Sequence, residues 1–442
     1  MGQAPATAET PPASRRRRGS VAKLATASYL GVTLGVITSP IIARVLGPAA
    51  RGEYAAIYVF ENALVMALAL GIPPAIMYRL VNRLTSPEEL MGTALRFCAA
   101  LCLPGAAVAV ALATNVLDLP EGPTTYLAVA VLALSPVGVL AMCLQGFLTS
   151  AGALGPLAWL RIAPLAANLV AVVALAVAGS LTLVSYLVLT LAISLGSALL
   201  AWYFVGVRPK GHAKFRLLLG FGLRSFPGTF ARLLNVRVDQ IILVPLVAPA
   251  QLAFYAIAVT ISQLPQGVAE AVGVRAMGSV IGSERKFLVS QAERYLRLSL
   301  LISTLACIGI AVVTPFLVPF VYGHAFAGIV APLLLLLPGA VANAGTRVAS
   351  PCLTAIDRPG VTSIAEISAL AITGLGLWYA LPRYGIAGAA AVSSITYFYR
   401  CGVQVEVLRR NGVRRLLPRR SDFAELARAI PLSRFRTSKA LT

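Results

Sequence analysis

Polar and charged side chains stand in the middle of an apolar stretch that runs from Arg224 through the segment 241–247 and is long enough to cross a bilayer. Arg232, Asn235 and Asp239 are three and four residues apart, so a continuous helix would carry them on one face. A charge in hydrocarbon costs between about 2.5 and 17 kcal/mol, and such a face normally borders a water-filled cavity or a partner. The pattern predicts a helix that lines a polar cavity in a bundle. Pairing of Arg232 with Asp239 or with a neighbouring helix is the simpler alternative.

The other reactive side chains form no catalytic or metal-binding pattern. The six cysteines lie in or beside apolar segments without a CxxC pair. His212 and His324 have no Asp, Ser or Cys placed to work with them. No glycine-rich phosphate-binding loop precedes a predicted helix. We therefore expect a protein that is not an enzyme, has no cofactor and does not use ATP directly.

The composition is that of a membrane protein with several spans. Of the 442 residues, 58% are hydrophobic and 12% are charged, and the mean hydropathy is +0.83, far above that of soluble domains. The net charge of +21 does not indicate nucleic acid as a partner, because the basic residues stand at the ends of apolar runs. They are signals of membrane topology.

Twelve apolar segments are long enough to span a bilayer, and together they predict an all-α integral membrane protein. Their approximate limits are 21–46, 54–78, 91–114, 124–149, 156–178, 181–205, 220–247, 252–280, 295–321, 328–352, 361–382 and 385–408. Residues 1–20 are expected to form a disordered basic tail and not a cleaved signal peptide, because the apolar stretch that follows is a full span. Residues 411–442 are expected to form a second basic tail.

Lysine and arginine are distributed unequally between the two sides of this map. Of the 37 basic residues, 28 lie in the tails and connections of one side, while Arg51 and Arg383 alone lie on the other. The positive-inside rule places the basic side, with both termini, in the cytoplasm. We expect a multi-pass protein of a bacterial cytoplasmic membrane whose tails lie near anionic lipid.

An internal repeat relates the two halves of the chain. Residues 48–55 (PAARGEYA) recur as residues 249–256 (PAQLAFYA), at the entry to the second and eighth segments. Six segments separate the copies, so both have the same orientation, and the halves are expected to be related by a pseudo-two-fold axis along the membrane normal. The pattern predicts six-helix bundles over 21–205 and 218–410, joined by a cytoplasmic linker at 206–217. Chance similarity of the two copies is the alternative.

Three motifs occur in a defined order along the chain. They are 41–55 (IIARVLGPAARGEYA) at the first hairpin, 238–243 (VDQIIL) with 254–258 (FYAIA) in the seventh and eighth segments, and 383–391 (RYGIAGAAA) before the last. Over about residues 21–410 the chain thus resembles Wzx-like oligosaccharide flippases of the multidrug/oligosaccharidyl-lipid/polysaccharide (MOP) exporter superfamily. The resemblance implies a flippase that moves a polyprenyl-diphosphate-linked oligosaccharide to the outer leaflet by alternating access. Membrane lipids, glycosyltransferases and a polysaccharide polymerase are the partners it implies.

The resemblance also bears on which glycan is carried. The peptidoglycan-precursor branch of the superfamily has arginines midway along its first helix, where this chain has only the hydroxyls of Ser28, Thr33 and Thr38. An exopolysaccharide, capsule or similar cell-surface unit is therefore favoured over a peptidoglycan precursor.

A lipid-linked sugar diphosphate needs arginine for its phosphates and amide or hydroxyl groups for its sugars. The predicted substrate-binding residues are Arg96, Arg161, Arg232, Asn235, Arg237 and Arg347. A buried carboxylate can carry a proton or bind sodium, and the predicted ion-coupling residues are Glu61, Asp239, Glu270 and Glu366. A structural ion pair between helices is the alternative for each of these residues.

Two other functions fit parts of the pattern. A cation-coupled multidrug exporter of the same superfamily would share the fold, but the arginines in the interior favour an anionic substrate over cationic drugs. A membrane-embedded glycan polymerase or ligase would need a large outer loop, and the predicted outer loops are all short.

Overall fold

Every element of secondary structure in the described part of the chain is helical. The structure, a computed structural model, describes residues 13–413 except 118, 120–121, 212 and 268–284, and within that range it omits some side chains, including those of 224–229 and 231–233. In chain order the helices are α1 (Ala13–Leu68), α2 (Ile72–Val81), α3 (Pro87–Asn115), α4 (Pro123–Ala133), α5 (Ser135–Ser150), α6 (Leu154–Val177), α7 (Leu183–Val205), α8 (Phe215–Leu234), α9 (Val238–Leu243), α10 (Pro249–Ser262), α11 (Arg285–Tyr322), α12 (Val330–Ala355) and α13 (Pro359–Arg410). A short 3-10 helix, His324–Ile329, leads into α12.

Two of these elements each contain a pair of helices. The first, α1, is interrupted at Gly47 (φ 76°, ψ 173°), and α13 is interrupted at Gly385 (φ 56°, ψ −143°). A positive φ is open to glycine without the strain that a β-carbon would add. The two glycines fall at the predicted boundaries between the first two spans and between the last two.

The helices agree with the predicted membrane architecture. Eight helical stretches of the described residues are long and apolar enough to cross a membrane, and α10 is a shorter apolar helix. The element order is compatible with twelve spans, because α1 and α13 each supply two and α8 with α9 supplies another. The all-α membrane fold is confirmed, while the count of twelve and the domain limits stay predictions.

Some observed helix limits differ from the predicted ones. Helix α1 begins at Ala13, inside the segment expected to be disordered, since alanine and arginine are good helix formers. Helix α11 begins at Arg285, well before the predicted start of its span. Four spans predicted as continuous are broken by turns, at 69–71, at Leu134, at 235–237 and at 263–265. The first two breaks are followed closely by proline, which cannot donate the backbone hydrogen bond of a helix interior.

Helix starts follow ordinary capping chemistry. The Ser86 hydroxyl accepts a hydrogen bond from the Glu89 N–H at the start of α3, where Pro87 occupies the first helical position. Thr182 and Ser185 form a reciprocal capping box at the start of α7. These local signals define where the chain turns between spans.

The two halves of the chain pack through one shared apolar core. We call residues 13–205 the amino-terminal half and residues 215–413 the carboxyl-terminal half. The largest buried cluster joins both, with Ile57 from the first and Tyr255 from the second among its members. Helix α1 packs against α10, and α2 packs against α8. The polar stretch singled out in the sequence therefore lies where the halves meet.

Candidate functional site

The polar stretch lies at a break between two helices and not on one continuous helix. Helix α8 ends at Leu234, and the Arg237 N–H donates to its carbonyl at 2.9 Å before α9 begins. The prediction that Arg232, Asn235 and Asp239 share one face of a continuous helix is therefore wrong. Hydrogen bonds from the turn to another helix stabilise the break, and sequence periodicity does not show such tertiary contacts.

Asn235, Glu366 and Arg400 form a buried cluster, which we call the Glu366 cluster. The Asn235 amide donates to the backbone carbonyl and to the Oε2 of Glu366, both at 2.7 Å. The Arg400 guanidinium binds the other carboxylate oxygen, Oε1, at 2.8 Å. Glu366 is 1% exposed and Arg400 is 6% exposed, so removing either partner would leave a buried charge uncompensated. The cluster links the turn 235–237 to both helices of α13.

Asp239, Tyr255 and Ser393 form a second buried cluster, the Asp239 cluster. The Tyr255 hydroxyl donates to Asp239 Oδ2 at 2.5 Å, and the Ser393 hydroxyl donates to the same oxygen at 3.2 Å. The Gln240 N–H donates to Oδ1 at 2.8 Å. Among the described residues, Asp239 forms no ion pair within 4.0 Å. It differs from Glu366 in this respect, since its direct partners are neutral donors.

A cavity of about 220 Å³ lies between the halves beside the turn 235–237, and we call it the central cavity. Its lining consists of Phe60, Ala63, Leu64, Met66, Ala67, Leu112, Phe230, Leu234, Arg237 and Ile241. All of these residues except Arg237 are apolar. The Arg237 guanidinium lies 5.7 Å from the centroid of the Tyr58 ring and donates to Gln240 Oε1 at 3.0 Å. The lining is thus apolar, and Arg237 is the one charged residue among the described residues that form it.

The predicted substrate-binding arginines lie in different places. Arg237 borders the central cavity, whereas Arg96 on α3 and Arg161 on α6 are exposed and are not part of its lining. Arg347 on α12 is partly buried and donates to a glutamine side chain at 3.2 Å. The backbone of Arg232 belongs to α8, but its side chain lies outside the described residues. Of the predicted arginines whose side chains are described, Arg237 is the one that lines the cavity.

The predicted ion-coupling carboxylates are also separated. Asp239 and Glu366 occupy the two clusters described above. Glu61 on α1 borders a second cavity, of about 100 Å³, that two serines of α7 also line. Its carboxylate accepts a hydrogen bond from the Asn62 amide at 3.2 Å. Glu270 lies outside the described residues.

The sequence prediction omits Arg400, Tyr255 and Ser393 from the site. Arg400 counts as a cytoplasmic basic residue in the topology map, yet the structure buries it beside the carboxylate of Glu366. Its position inside the last apolar segment, 385–408, is a sequence signal for burial. Tyr255 stands in the second copy of the internal repeat, and no sequence pattern connects Ser393 with it.

A bundle of apolar helices in two packed halves, with a cavity between them, is the architecture of a membrane transporter. A family model described as polysaccharide biosynthesis protein matches residues 19–277. The chain belongs to the polysaccharide biosynthesis protein family. No curated protein sequence matches the chain significantly.

Solved structures of MOP transporters have the same fold. The lipid II flippase MurJ in an inward closed conformation aligns with a TM-score of 0.73 at 16% identity, over 91% of this chain and 89% of that one. An inward-facing multidrug resistance MATE family transporter aligns with a TM-score of 0.68 at 16% identity, over 86% and 94% of the two chains. A MOP superfamily transporter from Pyrococcus furiosus aligns with a TM-score of 0.58 at 16% identity, over 89% and 95%. The family match and the fold confirm the resemblance to MOP exporters.

Proposed function

We propose that this protein is a flippase that carries a polyprenyl-diphosphate-linked oligosaccharide across a bacterial cytoplasmic membrane by alternating access. The observation that carries the proposal is Arg237, the charged residue in the otherwise apolar lining of the central cavity. An apolar wall suits a prenyl chain, and a guanidinium suits a phosphate. A cell-surface polysaccharide unit is the proposed cargo, in keeping with the family.

In the proposed complex, Arg237 pairs with the substrate diphosphate. Its planar fork can bind two phosphate oxygens at once, and its contacts with Gln240 and Tyr58 already restrict its orientation. Charge-assisted hydrogen bonds are strong where water is scarce, so the phosphates would keep a counter-charge while they cross the hydrocarbon. Arg232 is proposed as a second phosphate contact on its sequence position. The Asn235 amide is already hydrogen-bonded to Glu366. We therefore propose that Asn235 positions the neighbouring turn through the Glu366 cluster and does not bind the substrate directly.

We propose Asp239 as the residue that couples transport to a proton or sodium gradient. It lies two residues from Arg237, and its direct partners are neutral donors, so an incoming cation could balance its charge. Glu366 already has Arg400 as its counter-charge, and we propose a structural role for that pair. Glu61, beside the second cavity, is the proposed coupling residue of the amino-terminal half.

The lining of the central cavity argues against a cationic drug as the substrate. In a low-dielectric cavity, the Arg237 guanidinium would repel a cation. No carboxylate is among the described residues that line it. An anionic lipid-linked substrate is therefore the better match.

The proposal is tested by replacing Arg237 in a strain that depends on this protein for a surface polysaccharide. We expect Arg237→Lys to keep part of the export, because lysine keeps the positive charge but lacks the planar guanidinium that can bind two phosphate oxygens. We expect Arg237→Ala to lose export by about tenfold or more, because a phosphate without a partner in a dry cavity is costly. Export would be measured as surface polymer, together with the level of each variant in the membrane.

Arg96→Ala is the matched control, because it removes an exposed arginine that does not line the central cavity. It should leave export at the wild-type level. Full export by a well-inserted Arg237→Ala protein would contradict the assignment of the phosphate site. An equal loss in Arg96→Ala would contradict it as well.

We also propose that both termini and the connection between α7 and α8 face the cytoplasm, where glycosyltransferases would supply the substrate. The unequal distribution of lysine and arginine supports this orientation. In intact cells, a cysteine placed at position 120 should react with an impermeant reagent, and one at position 212 should not. The reverse pattern would overturn the orientation.

A further inference from the structure

Two close backbone contacts join the halves on either side of the central cavity. At the Gly52 contact, α1 approaches the Pro249 carbonyl at the start of α10 so closely that a Cβ on Gly52 would overlap it. At the Gly222 contact, α8 approaches the turn 69–71, and a Cβ on Gly222 would lie 2.7 Å from a carbonyl oxygen of that turn. The part of α1 that lines the cavity, within 60–67, lies between the two contacts.

Side-chain hydrogen bonds also join the halves at the same end as the Gly52 contact. The Arg44 guanidinium donates to the Phe320 carbonyl of α11. The Tyr322 hydroxyl donates to the Ser39 hydroxyl at 3.4 Å. These bonds join the outer part of the first helix of α1 to the carboxyl-terminal half. The two copies of the internal repeat also meet at this end, since each supplies one side of the glycine contact.

Further contacts surround the Gly222 contact at the opposite end. The rings of Tyr78 on α2 and Phe221 on α8 stack with their centroids 4.6 Å apart. The connection between α7 and α8 lies against the start of α3, where the Lys210 N–H donates to the Glu88 carbonyl at 3.2 Å. Contacts between described residues are therefore present beyond both ends of the part of α1 that lines the central cavity.

We propose that the Gly52 and Gly222 contacts are two gates that open in alternation, an inference that rests on the proposed alternating access. Glycine lets two backbones meet without interdigitating side chains, so such a contact can separate and re-form with little repacking. Added volume at either glycine destabilises the conformations in which that end is closed. The population then shifts to the conformation that is open at that end.

The two glycines are well suited to substitution. Neither Gly52 nor Gly222 lies in the left-handed region of φ, so a larger residue adds volume without strain in the backbone. Gly71, on the other side of the Gly222 contact, has φ +72° and would add that strain. Gly196 on α7 has open space where its Cβ would lie, and it serves as the matched control.

The test uses a reporter in the central cavity. The six native cysteines are replaced, and Ala63→Cys places one thiol in the cavity lining. Labelling by an impermeant maleimide is followed in intact cells and in inside-out vesicles. We expect Gly52→Val to raise the labelling rate from one side by about tenfold or more, and Gly222→Val to raise it from the opposite side by a similar factor. Gly196→Val should change neither rate.

On the proposed orientation, Gly52→Val opens the cavity to the outside. Opposite shifts for the two variants support the gates, whichever side each variant opens. The proposal of two gates is overturned if both variants raise labelling from the same side, or if neither variant changes the labelling rate. Should the valine variants fail to insert, Gly52→Ala and Gly222→Ala carry the same test, with smaller shifts of the same sign. The assay measures access to the thiol and does not depend on transport of the proposed cargo, so an error in that cargo would leave its interpretation unaffected.

Discussion

The short similar segments 48–55 and 249–256 each contain a tyrosine, and the two tyrosines make different contacts. In the first copy, the Tyr54 ring packs on Tyr186 with centroids 4.5 Å apart. In the second copy, Tyr255 donates its hydroxyl to Asp239 at 2.5 Å. At the same offset along the chain, Asp239 corresponds to Thr38, whose hydroxyl donates to a carbonyl of its own helix at 2.7 Å. The tyrosine of the first segment therefore packs against another ring, whereas that of the second binds a buried carboxylate.

This difference extends through the interior of the protein. Among the described residues, the buried arginines and carboxylates all lie in the carboxyl-terminal half. The buried polar residues of the amino-terminal half are serine and threonine. The first group is Asp239, Arg297, Glu366 and Arg400, and the second is Thr38, Thr93 and Ser135. The two halves thus differ in the chemistry of their buried polar residues. We infer that the carboxyl-terminal half supplies most of the charge chemistry of the cycle, while the amino-terminal half supplies an apolar surface against which it moves.

The largest effect is expected from breaking the Glu366 cluster. Glu366→Leu or Arg400→Leu leaves the other charge buried and unpaired, and each should lower the free energy of unfolding by about 3–5 kcal/mol. The double replacement should recover much of that loss, because neither charge then remains. Thermal unfolding of the purified protein in detergent measures all three.

Glu406→Ala is the control for these three variants of the Glu366 cluster. It breaks an exposed pair, in which Arg410 lies 3.0 Å from Glu406, and should change the free energy of unfolding by less than about 1 kcal/mol. If the single Glu366 and Arg400 variants were no less stable than this control, the buried pair would have no special structural role.

A smaller effect is expected from the two tyrosines of the repeat. Tyr255→Phe removes a donor to the Asp239 carboxylate and should cost about 1–2 kcal/mol of stability. Tyr54→Phe keeps the ring contact with Tyr186 but removes a hydrogen bond between neutral groups, with Thr190, and it should cost about 1 kcal/mol or less. The same unfolding measurement compares the two variants, and an equal loss would remove the distinction between the halves.

The smallest effect is expected at Thr38, the counterpart of Asp239. Thr38→Val removes a hydrogen bond within one helix and keeps the shape of the side chain, so stability should change by about 0.5 kcal/mol or less. Export should continue at the wild-type rate. A severe loss of export in Thr38→Val, with normal membrane levels, would show that the amino-terminal half contributes polar chemistry of its own.

The sequence predicted those features that depend on local composition and spacing. Length and hydropathy gave the helical spans, and the two kinks fall at Gly47 and Gly385, where a positive φ requires glycine. The motifs predicted the superfamily. Arg237 also comes from the sequence, because a charge within an apolar segment is conspicuous without any structure.

What the sequence could not show depends on contacts between distant residues. The break at 235–237 is supported by the bond of Asn235 with Glu366, which lies 131 residues away along the chain. From the sequence, Arg400 counts among the cytoplasmic basic residues, because counting charges does not distinguish a buried arginine from one at the membrane surface. Its partner, Glu366, is seen only in the structure. Periodicity shows which residues could share a face, but it does not show whether the helix continues.

The most direct test of the account measures flipping with purified components. The protein is reconstituted in liposomes with a fluorescent polyprenyl-diphosphate oligosaccharide, and the rate at which the glycan reaches the opposite leaflet is recorded for the wild type, Arg237→Ala and Arg96→Ala. The account predicts that the wild type and Arg96→Ala flip the lipid at equal rates and that Arg237→Ala is slower by about tenfold or more, a loss of about 1.4 kcal/mol in transition-state stabilisation. Equal rates for all three proteins would contradict it.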